Sequence, residues 1–206
     1  QKKLVIVMQS IDNKLISMVY SRGRGFVFTP KLFSSLGDPR VVGTVLTRLS
    51  RKGTIRRLAR GLYDYPRKHD ELGLLAPSID DVAHALKGRD AVRLQPSGAY
   101  AANLLGLSDQ VPMRVVFLTD GPSKNVKLGQ QEIILKRTTP RNMATAGRTS
   151  GLVIQALRHL GQRHTDDTVL HALKSRLSDG DKKQLIKDLQ YAPAWIADII
   201  RNIAKK

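Results

Sequence analysis

Apolar side chains recur at helical spacing through the first part of the chain. In residues 3–20 they fall every three or four positions, which predicts an amphipathic helix. A glycine-rich break and a short β-prone run, Phe26–Phe28, follow. Thr29-Pro30 and Asp38-Pro39 each join a capping residue to a proline suited to a first helical turn. They predict two more helices, which end at Gly37 and Gly53.

The third predicted helix, residues 40–51, has two chemically different faces. At about 100° per residue, one face is apolar and holds Val41, Val42, Val45, Leu46 and Leu49. The opposite face, with Arg48 at its edge, holds Arg40, Thr44, Thr47 and Arg51. Arginine can pair with guanine through two hydrogen bonds, and threonine can contact bases or phosphates. The pattern therefore suits a helix that enters a DNA groove, although the solvated face of any amphipathic helix looks similar.

Two β-prone runs after this helix predict a hairpin. Thr54–Leu58 and Leu62–Tyr65 flank Ala59-Arg60-Gly61, whose glycine suits a tight turn. The order helix, short strand, helix, helix, hairpin is that of a winged helix-turn-helix, and the hairpin would be its wing. In that fold, basic side chains of the wing contact the sugar–phosphate backbone beside the groove.

The predicted DNA-binding residues thus come from the third helix and the hairpin. They are Arg40, Thr44, Thr47, Arg48, Arg51, Lys52, Arg56, Arg57 and Arg60. Tyr63 and Tyr65 are expected either to pack in the hairpin or to touch phosphate.

The net charge points to a polyanionic partner. The 206 residues include 35 Lys and Arg against 17 Asp and Glu, which gives a formal net charge of +18. Residues 1–70 carry +11 of that excess. DNA, RNA or an anionic membrane surface would each satisfy it. Because 41% of the residues are hydrophobic and 25% are charged, the composition is that of a folded domain rather than a disordered basic tail.

Cysteine usage and hydropathy bear on the compartment. The sequence has no cysteine, which excludes disulfides and thiolate chemistry and fits a reducing environment. The longest N-terminal apolar run, Leu4–Met8, is too short for a signal-peptide core or a membrane span. We therefore expect a cytoplasmic protein with no membrane partner.

The remainder of the chain predicts a second domain of mixed structure. Ser78 and Ser97 are expected to cap helices, and β-prone runs at 111–119, 126–128 and 132–137 predict an antiparallel meander. Four helices are predicted in the C-terminal part, 151–206: Gly151–Leu160, Asp166–Leu177, Asp179–Gln190 and Ala194–Ala204, the last with Trp195 in a core or an interface. The predicted fold class is α+β, with a winged helix at 1–68, a linker at 69–77 and the mixed domain, with its small antiparallel sheet, at 78–206.

No constellation of residues fits catalysis or metal binding. His159, His164 and His171 lack the i, i+4 spacing of two metal ligands on one helix. Ser97 stands outside a G-x-S-x-G motif, and the turn at 119–125 lacks the GK[ST] of a phosphate loop. We expect no catalytic residue, no metal and no cofactor. Lys136, Arg137 and Arg141 either extend a DNA-binding surface or solvate a strand end.

Two segments resemble a known family. GFVFTPKLFSSLGDPRVVGTVLTRLSRKGTIRRLARGLYDYP, residues 25–66, is similar to the N-terminal winged helix of AbiEi-type antitoxins from type IV toxin–antitoxin, or abortive-infection, operons. LQPSGAYAANLLGLSDQVPMRVVFLTDGPSKNVKLGQQEIILKRTTPR, residues 94–141, resembles their second domain. The resemblance covers about residues 20–145. It implies an operon repressor that binds double-stranded operator DNA and counteracts a nucleotidyltransferase-like toxin, without catalysis.

Two other classes of function stay open at this point. One is an RNA- or ribosome-binding protein, against which the low aromatic content of 5% argues, because single-strand platforms are rich in aromatic rings. The other is an enzyme acting on nucleic acid or nucleotides, for which the sequence shows no motif.

Overall fold

The chain divides into two compact units, Gln1–Gly88 and Arg89–Lys206. The computed structural model describes residues 10–88 and 91–205. The run Leu4–Met8 and the first residues of the first predicted helix lie outside the described residues. The division falls after Gly88, so residues 69–77, which the sequence predicts as a linker, lie within the first unit.

The first unit contains short strands between helices. In chain order its elements are α1 (Ile11–Ser21), β1 (Val27–Phe28), a 3-10 turn (Pro30–Phe33), α2 (Pro39–Arg51), β2 (Arg56–Ala59), β3 (Leu62–Asp64), β4 (Lys68–His69), β5 (Gly73–Leu74) and α3 (Ile79–Lys87). An antiparallel three-stranded sheet has the order β1-β3-β2, and β4 and β5 form a separate small hairpin.

Side-chain caps fix the helix starts that the sequence predicts. The carboxylate of Asp38 accepts a 2.7 Å hydrogen bond from the backbone N–H of Arg40, and Pro39 occupies the first turn of α2. Ser78 likewise accepts from the N–H of Asp81, and α3 ends at Gly88 in the left-handed conformation. The second predicted helix is only a 3-10 turn.

The apolar face of α2 packs into the core of the first unit. Val42, Val45, Leu46 and Leu49 are buried there together with residues of α1, β1 and the 3-10 turn: Leu15, Val19, Phe28 and Phe33. One residue of the predicted apolar face is not buried. The side chain of Val41 is 43% exposed. It lies in the first turn of α2, at the edge of the apolar stripe.

The second unit combines one sheet with a group of helices. Its elements are β6 (Leu94–Ser97), α4 (Gly98–Leu104), β7 (Arg114–Thr119), β8 (Lys124–Leu128), β9 (Gln131–Arg137), α5 (Pro140–Met143), α6 (Thr149–Leu160), a 3-10 turn (Gln162–His164), α7 (Asp167–Arg176), α8 (Asp179–Lys187), a 3-10 turn (Leu189–Tyr191) and α9 (Ala194–Ala204). The whole chain is therefore of mixed α+β structure.

The predicted meander is wrong in its strand order. The sheet runs β6-β7-β9-β8, and β7 pairs with β9 in parallel. β9 takes a central place because Ile133 and Leu135 are fully buried, whereas β8 bears the exposed Lys127 and forms an edge. β6, which the sequence analysis missed, is the other edge, where Pro96 is tolerated since an edge strand has one side without ladder bonds.

The helices of the second unit share one apolar core. It includes Leu157 of α6, Leu173 of α7, Leu185 of α8 and Ile200 of α9, all fully buried. Trp195 is partly buried and packs against this core, as the sequence predicted. Within residues 10–88 and 91–205, none of the helices is both long and apolar enough to cross a membrane.

Candidate nucleic-acid interface

The polar face of α2 and the β2–β3 hairpin form an open groove. It is lined by Arg40, Gly43, Thr44, Thr47, Arg48, Arg51, Arg57 and Tyr63. Six of the nine residues predicted from the sequence to bind DNA therefore meet in one place. We refer to this set of eight residues as the α2 groove.

The hairpin contributes its side of the groove through its register. Arg57 on β2 lies directly opposite Tyr63 on β3, and opposed residues of an antiparallel pair share a face of the sheet. Tyr63 is buried and stacks on Phe28, with ring centroids 6.0 Å apart. The buried ring anchors the hairpin to the core, and Arg57 stays exposed beside α2.

Both threonines of the groove use their hydroxyl protons inside α2. Thr44 Oγ1 donates to the carbonyl of Arg40 at 3.0 Å, and Thr47 Oγ1 donates to the carbonyl of Gly43 at 2.9 Å. The oxygen lone pairs remain available as acceptors. In this rotamer, a threonine of the groove could accept a hydrogen bond from a base amino group rather than donate one to a phosphate.

Arg48 differs from the other arginines of the α2 groove because it has an acidic partner. Its Nη2 forms an ion pair with Asp12 Oδ2 of α1. Both side chains are partly exposed, at 48% and 32% respectively. Arg40, Arg51 and Arg57, in contrast, form no ion pair with any residue of the described chain. These three arginines supply the unneutralised charge of the groove.

Arg56 lies outside the α2 groove, although the sequence analysis placed it at the DNA backbone. Its guanidinium donates two hydrogen bonds to the Asp64 carboxylate, of 3.1 and 2.6 Å, and a third of 2.7 Å to the carbonyl of Leu75. Asp64 is only 1% exposed. Arg56 therefore neutralises a buried charge, and its contact with the DNA backbone stays a prediction.

The other two predicted residues flank the α2 groove without lining it. Lys52 is exposed at the C-terminal cap of α2. Arg60 is exposed in the hairpin turn, beside Gly61, whose φ of +70° favours glycine. Tyr65 does not line the groove either, since its ring lies against Tyr20 at 5.0 Å.

The candidate residues that the sequence analysis named in the second unit either form hydrogen bonds within the fold or are exposed to solvent. Ser97 does not cap α4 by its side chain as predicted, because its Oγ donates to Gln155 Oε1 at 3.2 Å. His159, His164 and His171 are exposed, and the described residues contain no group of three or more His, Asp or Glu that could hold a metal ion. Arg141 donates to the carbonyl of Gln190, while Lys136 and Arg137 are exposed at the end of β9.

A buried carboxylate organises the helices of the second unit. Asp188 follows α8 and accepts hydrogen bonds from Arg148, Ser150 and Gln184. Burial alone would raise the pKa of Asp188, but these hydrogen bonds and the charge of Arg148 together hold that pKa below its usual value. The network joins α8 to the start of α6 and is remote in sequence from the α2 groove.

Comparison with known proteins gives a family and a similar solved structure. Residues 14–185 match a family described as a family of unknown function, DUF6088. The chain is also similar to the crystal structure of the RV2827C protein from Mycobacterium tuberculosis, with 16% sequence identity and a TM-score of 0.49, over 95% of this chain and 76% of that chain. No curated protein matches.

Proposed function

The chain belongs to the DUF6088 family, whose function is unknown, and we propose that its first unit is a winged helix-turn-helix that binds double-stranded DNA. In this proposal α2 is the recognition helix and the β2–β3 hairpin is the wing. The protein acts as a transcriptional repressor of the AbiEi antitoxin type and has no catalytic role.

The order of elements supports this assignment. The elements follow one another as α1, β1, a 3-10 turn, α2 and the β2–β3 hairpin. In the sheet, β3 lies between β1 and β2. This arrangement leaves the polar face of α2 open to solvent beside the hairpin. An α-helix of this kind fits the major groove of B-DNA, which is about 12 Å wide.

The composition of the α2 groove is the observation on which the proposal rests. Three arginines without acidic partners and two threonines with free lone pairs line one concave surface. Arg51 is in the last turn of α2 and is suited to the O6 and N7 acceptors of guanine. Arg57 and Arg60 on the hairpin are suited to phosphates, which position a protein without reading sequence.

The regulatory part of the proposal rests on the resemblance of residues 25–66 and 94–141 to AbiEi-type antitoxins. An antitoxin of that type represses its own operon through operator DNA and counteracts a nucleotidyltransferase-like toxin. In this proposal the α2 groove binds the operator DNA. The second unit counteracts the toxin; it carries a net positive charge and has a well-packed helical core.

The test is duplex binding by the full chain and by two charge-matched variants. A preferred duplex is first selected from a random library and then titrated beside a scrambled duplex and an RNA hairpin. Arg40→Gln/Arg51→Gln/Arg57→Gln should weaken binding to the selected duplex by more than about tenfold. Arg163→Gln/Lys183→Gln/Lys187→Gln, on exposed sites of the second unit, should leave it within about twofold. Equal losses in both variants, or tighter binding to the RNA hairpin, would overturn the proposal.

A further inference from the structure

Arginine and aromatic side chains meet at the β1 edge of the first unit. The N–H of Gly25 donates to the carbonyl of Tyr65 at 2.6 Å, and the N–H of Tyr65 donates to the carbonyl of Phe26 at 2.9 Å. These bonds extend the β1–β3 pairing and bring the turn after α1 against the chain that follows β3. We refer to the side chains gathered here as the Arg–Tyr platform: Tyr20, Arg22, Arg24, Phe26, Tyr65 and Arg67.

The rings and guanidinium groups of the platform contact one another directly. The guanidinium of Arg24 lies 4.8 Å from the ring centroid of Tyr65, and that of Arg22 lies 5.6 Å from the ring centroid of Phe26. Both distances are within the range of cation–π interactions. The Tyr20 ring lies on the Tyr65 ring, with centroids 5.0 Å apart. Three aromatic residues from two separate segments thus share one surface.

Backbone carbonyls, rather than acids, hold Arg24 and Arg67 in place, and the Phe26 ring contacts Arg22. Arg24 Nη1 donates to the carbonyl of Pro66 at 3.1 Å, and Arg67 Nε donates to the carbonyl of Arg24 at 3.4 Å. Arg67 approaches the turn so closely that a Cβ on Gly25 would clash with its Nε. Within the described part of the chain, Arg22, Arg24 and Arg67 form no ion pair. Their positive charges are therefore pre-positioned but not neutralised.

A purely structural role accounts for only part of this arrangement. Closing the α1–β1 turn onto β3 needs the backbone pairing at Gly25 and the Arg24–Tyr65 contact. It does not need the ring of Tyr20, which remains 50% exposed although it lies against Tyr65. Nor does it need Arg22 and Arg67 to be exposed and without acids. Single-strand binding surfaces combine exposed aromatic rings, on which bases stack, with positive charges that bind the backbone.

We propose that the Arg–Tyr platform is a second nucleic-acid site, which binds unpaired nucleotides. A base stacks on the exposed ring of Tyr20, and Arg22 and Arg67 bind the flanking phosphates. The platform shares no residue with the α2 groove, and β1 and β2 are opposite edges of their sheet. The inference therefore does not depend on the proposed duplex binding. The overall aromatic content of 5% gave no sign of such a surface, because the fold gathers three of the ten aromatic residues here.

The experiment uses the full chain and fluorescent homopolymers of about 12 nucleotides, oligo(dT) and oligo(rU), beside a duplex of mixed sequence. Tyr20→Ala and Arg22→Gln/Arg67→Gln should each weaken single-strand binding by about tenfold, and Tyr20→Phe should retain it, since a phenyl ring still stacks. Arg24 is left intact because of its contact with Tyr65. The comparison of the two homopolymers shows whether the site prefers DNA or RNA.

The matched control removes the same number of charges from the other surface, the α2 groove. Arg51→Gln/Arg57→Gln in the α2 groove removes the same charge as the platform double variant and should leave single-strand binding within about twofold. Thermal melts of all variants establish that they are folded. The inference is overturned if wild-type protein binds neither homopolymer at low salt, or if the platform variants bind as wild type does. It is also overturned if the groove variant loses single-strand binding equally. Failure of duplex binding alone leaves the single-strand result intact.

Discussion

The guanidinium of Arg56 donates two hydrogen bonds, of 3.1 and 2.6 Å, to the buried carboxylate of Asp64 across the β2–β3 hairpin. The next residue, Arg57, forms no ion pair in the described structure and lines the α2 groove. Two adjacent arginines of one strand thus point to different partners, because successive side chains of a strand face opposite sides of the sheet. Arg56 stabilises the hairpin, and Arg57 is available to a ligand.

Replacing Arg56 should cost stability. Arg56→Gln leaves the carboxylate of Asp64 buried without its counter-ion, so the free energy of unfolding should fall by about 3 kcal/mol. Arg57→Gln is the matched control and should change it by less than about 0.5 kcal/mol, since the side chain is exposed and unpaired. Urea denaturation followed by circular dichroism measures both. Equal small effects would mean that the Arg56–Asp64 pair contributes nothing to the hairpin.

Replacing Arg51 should relax sequence specificity. If α2 enters the major groove, Arg51→Ala should weaken binding to the selected duplex by about 1–3 kcal/mol and binding to a scrambled duplex much less. Arg57→Ala should instead weaken binding to both duplexes by similar factors, because a phosphate contact carries no sequence information. Fluorescence anisotropy titrations of both variants on both duplexes provide the comparison. An unchanged ratio of affinities in Arg51→Ala would show that Arg51 does not contact bases.

The salt dependence of duplex binding should reflect the cations that have no acidic partner. About five are placed on or beside the α2 groove: Arg40, Arg51, Lys52, Arg57 and Arg60. The slope of log affinity against log salt should then be about −4 to −5, and Arg57→Ala should flatten it by about 0.9. Titrations at several salt concentrations measure the slope. A value near zero would contradict an electrostatic contact.

The Asp12–Arg48 ion pair should oppose duplex binding. Asp12→Asn removes a negative charge beside the α2 groove and releases Arg48, so binding to selected and scrambled duplexes should tighten by a few fold at low salt, with less gain at high salt. The same titrations measure this change. Weaker and less specific binding by Asp12→Asn would instead mean that Asp12 orients Arg48 toward a base.

Replacing Asp188 should destabilise the second unit. Asp188→Asn breaks a carboxylate network whose central residue is 3% exposed, and the free energy of unfolding should fall by about 2–4 kcal/mol. Asp198→Asn is the control, because its ion pair with Arg201 is exposed and should contribute less than about 1 kcal/mol. Guanidinium denaturation of both variants measures the difference.

The Asp188 network also predicts a pH dependence. Since the pKa of Asp188 is lowered in the folded protein, its stabilising contribution is complete above the unfolded value, about 3.9. It is lost as the pH falls through the lower folded-state value. Between about pH 5 and pH 2, wild-type protein should therefore lose more stability than Asp188→Asn does. Parallel losses in the two proteins would contradict this assignment.

Local patterns in the sequence predicted α2 and its polar stripe. The ion-pair partners of the arginines, in contrast, depend on contacts between residues far apart in the sequence. The proline start and the apolar period of α2 are properties of neighbouring residues. The pairing of Arg56 with Asp64 depends on hairpin register, and that of Arg48 with Asp12 joins residues 36 positions apart. Neither pairing can be inferred from composition, so the sequence predicted DNA contacts for both arginines without revealing their acidic partners.

The strands show the same limit. The apolar runs of β7 and β9 predicted strands, but not that these two strands would be neighbours in parallel. β6 was missed because Pro96 interrupts a short run that is not strongly β-prone. The Arg–Tyr platform was missed because its aromatic residues come from segments about 40 positions apart, which only the β1–β3 pairing brings together.

The lysine-bearing edge strand of the second unit has a consequence for how the protein behaves at high concentration. β8 has a sheet neighbour on one side only. An open edge can pair with the same edge of another molecule and start aggregation. Lys127 is exposed on β8, so pairing of two such edges would bring positive charges close together. The lysine of this edge therefore disfavours pairing of two molecules through β8, while β7 and β9 lie inside the sheet with a neighbour on each side.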